Sequence, residues 1–267
     1  MKDIKIFKAT ELKDIREIVY NSVKLYGEQV AYVIKHKENK DVIYENITYK
    51  KLLEDINKLG TTFFDMGFQK KRIAIIGKNR YEWALTHLAN MLGGIVSVPL
   101  DKDLQYDELE NSLIRSKAEC IVFDEKLADM VAEIEKNGKT NLTEFICMSK
   151  IEGRTSVREL VDRGEELLKQ GKKDYLNAKI DENAMNILLF TSGTTSNSKA
   201  VMLSQKNIAS NIYAMQRVED MRSTDTNIAF LPFHHIFGST CMIMMLAQGI
   251  KTVFPDGLRY IKQNLKE

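Results

Sequence analysis

The stretch RIAIIGKNRYEWALTHLANMLGGIVSVPL, residues 72–100, reads as strand, helix and strand in immediate succession. Its first strand segment, IAII, is continuously apolar, as strands covered by helices on both faces must be. Between the two strands Asn79 and Glu82 have the spacing of a capping box, which predicts a helix over 79–92. The alternation continues with a strand at 95–98, a helix at 107–116, the apolar strand CIVF at 120–123, a helix at 126–137 and a strand at 144–148. Such alternation calls for a mostly parallel sheet with right-handed crossovers.

Upstream, helical spacing over 10–25 is followed by two short strands, 31–36 and 42–47, around the polar turn 37–41. Thr48 can cap a helix whose apolar positions Leu52, Ile56, Leu59 and Phe63 recur every three or four residues, with Gly67 as its left-handed stop. Downstream, a helix over 156–170 leads into the polar stretch 171–183. A second series then begins: strands at 185–190 and 201–203, a helix capped by Ser204, a strand at 228–231, a helix at 237–248 and a strand at 250–254. The expected fold is α/β, with two layered subdomains and mostly parallel sheets. Residues 1–175 form the first, with its N-terminal helix and hairpin, and 176–267 form the second.

Composition restricts the function. The chain has 44% hydrophobic and 28% charged residues, ordinary for a folded globular chain. Lys+Arg 39 against Asp+Glu 37 leaves a net charge of +2, so no global field draws it to nucleic acid or to an anionic membrane. A small-molecule partner is the expectation. Cys120, Cys147 and Cys241 are odd in number and far apart, which suggests neither a disulfide framework nor a zinc site. They read as small core residues in a reducing, cytoplasmic compartment, and no metal-ligand cluster is predicted. The opening residues lack an apolar signal-peptide core. The apolar run 236–250 is short and broken by Ser239, Thr240 and Gln248, which predicts a buried helix and no membrane span.

The segment TSGTTSNSK, residues 191–199, directly follows the apolar strand NILLF. Six hydroxyls, one glycine and one lysine in nine residues suit phosphate oxygens: hydroxyls and free backbone N–H groups donate hydrogen bonds, and Lys199 supplies charge. The carboxyl end of a strand is where open α/β sheets bind ligands. A solvent-exposed Ser/Thr-rich turn is the plain alternative. Gly193 and Lys199 also stand at the spacing of the GxxxxGK loop of P-loop phosphotransferases. There the comparison fails, because Ser198 replaces the second glycine and Ala200 the Mg²⁺-binding hydroxyl.

LLFTSGTTSNSKAVMLSQKN resembles the phosphate-binding loop TSG(S/T)TGxPKG of the adenylate-forming superfamily, and LPFHHIFG at 231–238 resembles its downstream motif LPxxHxxG. Upstream, ITYKKLLEDINKLG, the 72–100 stretch and AECIVF are similar to that superfamily's opening sheet region. The resemblance thus covers most of the chain. Within it, the chain looks like the N-terminal portion of an AMP-forming acyl-CoA synthetase. The helix SVRELVDRGEELLKQG resembles an insertion of the long-chain fatty acid type. Ser196, Ser198 and Ala200 depart from the family's Gly, Pro and Gly.

The resemblance implies an enzyme that activates a carboxylic acid with ATP and Mg²⁺ as acyl-AMP, then passes the acyl group to coenzyme A. It implies phosphate contacts from Thr191, Ser192, Gly193, Thr194 and Thr195, charge compensation by Lys199, and a place beside the acyl and adenylate site for His235. The family's acidic Mg²⁺ motif, ribose-binding aspartate, hinge and C-terminal lysine are expected past Glu267, so a truncated chain with little turnover of its own is anticipated. A non-catalytic ATP- or acyl-binding module is the competing expectation.

Overall fold

A computed structural model describes residues 6–38, 41–191, 199–257 and 262. The elements begin with α1 (Ile15–Tyr26), the hairpin β1 (Val30–Glu38) and β2 (Asp41–Thr48), and α2 (Tyr49–Asp65). Next come β3 (Arg72–Ile76), α3 (Tyr81–Gly93), β4 (Val96–Leu100), α4 (Tyr106–Ser116), β5 (Cys120–Phe123), α5 (Ala128–Asn137) and β6 (Glu144–Cys147). The short β7 (Thr155–Ser156) precedes α6 (Val157–Lys169). The chain continues with β8 (Met185–Thr191), β9 (Lys199–Ser204), α7 (Gln205–Val218), β10 (Thr226–Ile228), α8 (Ile236–Ala247) and β11 (Lys251–Val253).

Two sheets result. One has the order β7-β6-β5-β3-β4-β8-β9, parallel throughout except for the antiparallel pair β8–β9. The other has the order β10-β11-β1-β2, in which only β1 and β2 run antiparallel. This is the mostly parallel α/β fold expected from the alternating elements.

The chain forms two compact units that interleave along the sequence. One holds Met1–Leu53, Asn79–Tyr81 and Lys206–Glu267, and the other Glu54–Lys78 and Glu82–Gln205. An expected cut after residue 175 would separate β8 from β4, beside which it runs parallel at Ser97↔Ile187. The apolar run of β8 specifies burial on both faces and says nothing of which sheet edge receives the strand.

In the unit built on the seven-stranded sheet, Ala74, Ile76, Val98, Ile121 and Phe123 pack against Leu109 and Leu113 of α4 and Val131 and Ile134 of α5. Ser156 and Glu159 form a capping box at the start of α6: Glu159 N–H donates to Ser156 Oγ, and the Glu159 carboxylate accepts from Ser156 N–H at 2.8 Å. α6 lies directly on α2, and a Cβ at Gly164 would stand 1.9 Å from the Lys58 carbonyl oxygen. Ion pairs flank this contact, Lys58 with Glu165 at 2.6 Å and Arg163 with Asp65 at 2.6 Å. Hydrogen bonds from Lys58 and then Lys169 hold the Glu165 carboxyl at a pKa of about 2. Gly164→Ala should therefore destabilise this unit by about 1–3 kcal/mol in urea unfolding, because backbone has to move. An equal change on replacing exposed Arg158 with Ala would contradict that reading.

In the other unit, Thr48 Oγ1 accepts from Lys51 N–H at 3.1 Å and caps α2 as expected. Gly67, which belongs to the unit built on the seven-stranded sheet, adopts φ +81° just past the end of α2. The Tyr49 hydroxyl donates to the Ile250 carbonyl at 3.1 Å. Tyr32 stacks on Phe254 with ring centroids 5.3 Å apart. Among the described residues, no helix is long and apolar enough to cross a membrane.

Candidate functional site

β8 is buried from Asn186 to Leu189 and emerges at Thr191, which is exposed. Its pairing with β9 runs from Met185↔Ser204 to Thr191↔Lys199. Thr191 and Lys199 are thus direct cross-strand partners, and such pairs place Cβ atoms about 4.5–5.5 Å apart. Because β3, β4, β5 and β8 are parallel, this end of the hairpin lies at the carboxyl edge of the sheet, where α/β folds gather ligand-binding loops. Ser192, Gly193, Thr194 and Thr195 lie outside the described residues, as do Ser196 and Ser198.

The base of the hairpin is fixed by side chains that the sequence did not single out. Asn186 Nδ2 donates to the Ile95 carbonyl at 2.8 Å, and Gln205 Nε2 donates to the Met91 carbonyl at 2.7 Å. The Arg115 guanidinium lies over the Phe190 ring at 5.2 Å, one residue before Thr191. No local signal marks these residues, since each acts on backbone or a ring brought near only by folding.

His235 belongs to the other unit, where it is the N-cap of α8. Its backbone is extended and its Nδ1 accepts from Phe237 N–H at 3.3 Å. The ring is exposed, whereas the helix behind it is buried from Gly238 to Leu246 apart from Cys241. The turn before it is shaped by Asn79, whose Nδ2 donates to the carbonyls of Ala229 at 2.8 Å and Leu231 at 2.7 Å. Its Oδ1 accepts from Phe233 N–H at 3.0 Å. Asn79, read from sequence as the cap of the following helix, sends its side chain to this turn, and α3 begins at Tyr81. The turn also replaces most of the strand expected over 228–231, since β10 ends at Ile228.

A cavity of about 680 Å³ in the same unit as His235, bordered by Phe7, Leu12, Tyr26, Tyr213 and Arg217, contains none of the predicted site residues. Among the described residues, no group of three or more His, Cys, Asp or Glu is placed to hold a metal ion. Cys120 and Cys147 are buried thiols, and desolvation pushes the Cys120 pKa up.

The model of the AMP-binding enzyme family matches residues 21–265. The chain belongs to the AMP-binding enzyme family. Among curated proteins it is 27% identical over 255 residues to long-chain-fatty-acid–CoA ligase 1 of Cavia porcellus, covering 85% of this chain and 35% of that protein. It is 23% identical to a chloroplastic long-chain-fatty-acid–[acyl-carrier-protein] ligase of Arabidopsis thaliana, covering 97% of this chain and 37% of the relative. The chain therefore spans little more than a third of the length of these relatives. Among solved structures, a long-chain-fatty-acid–CoA ligase of Archaeoglobus fulgidus superposes with a TM-score of 0.77 at 20% identity. That match covers 94% of this chain and 49% of the other, and at such identity it speaks to the fold of this AMP-binding family member alone.

Proposed function

We propose that this chain carries the phosphate-binding part of an ATP-dependent, AMP-forming ligase that activates a carboxylic acid, of the long-chain fatty class, and transfers it to a thiol. The observation that carries the reading is Thr191 facing Lys199 across the mouth of the β8–β9 hairpin, at the carboxyl edge of the parallel sheet. In this reaction a carboxylate oxygen attacks the α-phosphorus of ATP, the bond to the bridging oxygen breaks, and pyrophosphate leaves with the electron pair. The thiol sulfur of coenzyme A then attacks the acyl carbon, the bond between that carbon and the AMP phosphate oxygen breaks, AMP leaves with the electron pair, and the thiol gives up its proton.

Both partners in the first step are anions, so the protein must offset charge and hold the reactants in line. Thr191, Ser192, Gly193, Thr194 and Thr195 donate hydrogen bonds to the β- and γ-phosphate oxygens. Lys199 compensates the charge that develops on pyrophosphate. His235 offers a ring N–H beside the acyl and adenylate site. Mg²⁺, bound with ATP, neutralises phosphate charge. Free thiols buried in the sheet suit a reducing, cytoplasmic setting.

Calorimetry with MgATP tests the reading. Lys199→Ala should weaken ATP at least about tenfold, the value of one charge-assisted contact. Thr194→Ala should weaken it less, and unchanged affinity in both variants would overturn the assignment. ATP–pyrophosphate exchange that requires added fatty acid separates ligase chemistry from mere binding. Ser196, Ser198 and Ala200, which depart from the family pattern, favour the binding-module alternative if ATP binds and exchange is absent.

A further inference from the structure

The turn before α8 is held in an unusual way for a surface connection. One amide side chain, Asn79, serves three alternate residues of it: Ala229 and Leu231 through their carbonyls and Phe233 through its N–H. The turn is closed further by Ala229 N–H to the Val253 carbonyl at 2.9 Å and by His235 N–H to the Pro232 carbonyl at 3.1 Å. The helix start presses against it as well, since a Cβ at Gly238 would stand 2.0 Å from the Pro232 oxygen. With the turn fixed on one side by Asn79 and on the other by Gly238, the backbone of His235 has little freedom.

The His235 ring is constrained in addition. Its Nδ1 accepts the Phe237 N–H, which requires a lone pair on Nδ1 and, in a neutral ring, leaves the proton on Nε2. A helix N-terminus offers unsatisfied N–H groups, so this acceptor role is the one the position favours. Rotation of the ring or a proton on Nδ1 would cost α8 its cap.

We propose that Asn79 is the positioning residue for His235: its amide clamp on residues 229–233 fixes the cap geometry and thereby presents His235 Nε2–H as a hydrogen-bond donor to a bound oxyanion. Only the identity of that oxyanion, a carboxylate or phosphate oxygen of the acyl adenylate, rests on the ligase reading. The clamp itself involves no reacting group. A substituent at 79 that lacks the amide would free the turn, and the ring would sample both tautomers.

Long-range ¹H–¹⁵N spectra of the full chain labelled in histidine, with His235 assigned by comparison with His235→Gln, read the tautomer directly. The wild type should show the Nε2–H form, and Asn79→Ala should raise the Nδ1–H form severalfold. Asn79→Asp keeps the acceptor for Phe233 N–H but turns an oxygen toward the Ala229 and Leu231 carbonyls. It should give the same change and stands in if Asn79→Ala does not fold. A wild-type ring in the Nδ1–H form, or a His235 tautomer that is identical in a folded Asn79 variant, would overturn the proposal. Loss of the ligase reading would register separately, as failure of ATP to bind the wild type while the tautomer result stands.

Discussion

Tyr175→Ala should destabilise the unit built on the seven-stranded sheet by about 3–5 kcal/mol, the cost of emptying a fully buried aromatic site. Tyr175 is 1% exposed, although it sits in the polar stretch that reads as a mere connection. Its ring packs edge-on against Phe64 at 5.2 Å, and its hydroxyl donates to the Ala89 carbonyl at 2.9 Å. Two glycines make room for it: a Cβ at Gly60 would stand 2.1 Å from the ring, and one at Gly93 2.6 Å. Tyr175→Phe should cost less, about 1–2 kcal/mol, for the hydrogen bond left unmade. Gly60→Ala should be damaging in the wild type and milder once Tyr175→Ala has emptied the space. A double-mutant cycle in urea should therefore show strong coupling, and additive effects would contradict the lock-and-socket geometry. Since Tyr175 pins the segment leading into β8, the same variant should loosen the hairpin that carries Thr191 and Lys199.

Acid should weaken the same unit through His87. This ring is fully buried, touches Trp83 at 5.1 Å between centroids, and shares a 2.8 Å hydrogen bond between Nδ1 and Ser97 Oγ. Its Nε2 has no hydrogen-bond partner among the described residues. Burial pushes its pKa down from 6.5 to about 3. As the pH falls between those values, the unfolded chain binds a proton that the folded one excludes, so stability is intact above about 6.5 and drains away below it. At about 1.36 kcal/mol per pH unit, the full loss is on the order of 5 kcal/mol, with about 2 of it gone by pH 5. The carboxyls of Glu110, Glu159 and Glu165 are depressed by hydrogen bonds, and their contributions fall away only below their ordinary value of 4.5. A comparison of wild type and His87→Gln between pH 7 and 5 thus isolates the imidazole. The variant's urea midpoint should be flat over that range where the wild type's declines, and parallel curves would refute the assignment.

The sequence made the elements legible where one run of residues carries its own signal. β3 and β5 have the expected ends, Arg72–Ile76 and Cys120–Phe123, because a short apolar run bounded by polar residues has one reading. The Thr48 cap was equally local. Hidden were pairings that depend on distant segments: β8 beside β4, and β1 beside β11, where the pattern records which faces are buried and not which edges meet. The hydroxyl-rich composition of residues 191–199 pointed to the loop, and the hairpin that sets Thr191 opposite Lys199 came only with the fold. Asn79 was read correctly as a hydrogen-bonding residue and assigned the wrong partner. A capping-box spacing counts neighbours along the chain, whereas its amide serves carbonyls some 150 residues away.

The parallel pairing of β1 with β11 sets a clock on synthesis. Tyr32 lies opposite Thr252, so β1 leaves the ribosome 220 residues before the strand it must join. At about 5–20 residues per second, that interval lasts roughly 10–45 s. During it β1 has only its hairpin partner β2, while every strand of the seven-stranded sheet has already been made. The unit encoded in the middle of the chain can mature first, and the nascent amino terminus waits with an open sheet edge, the stage at which a chaperone has something to hold.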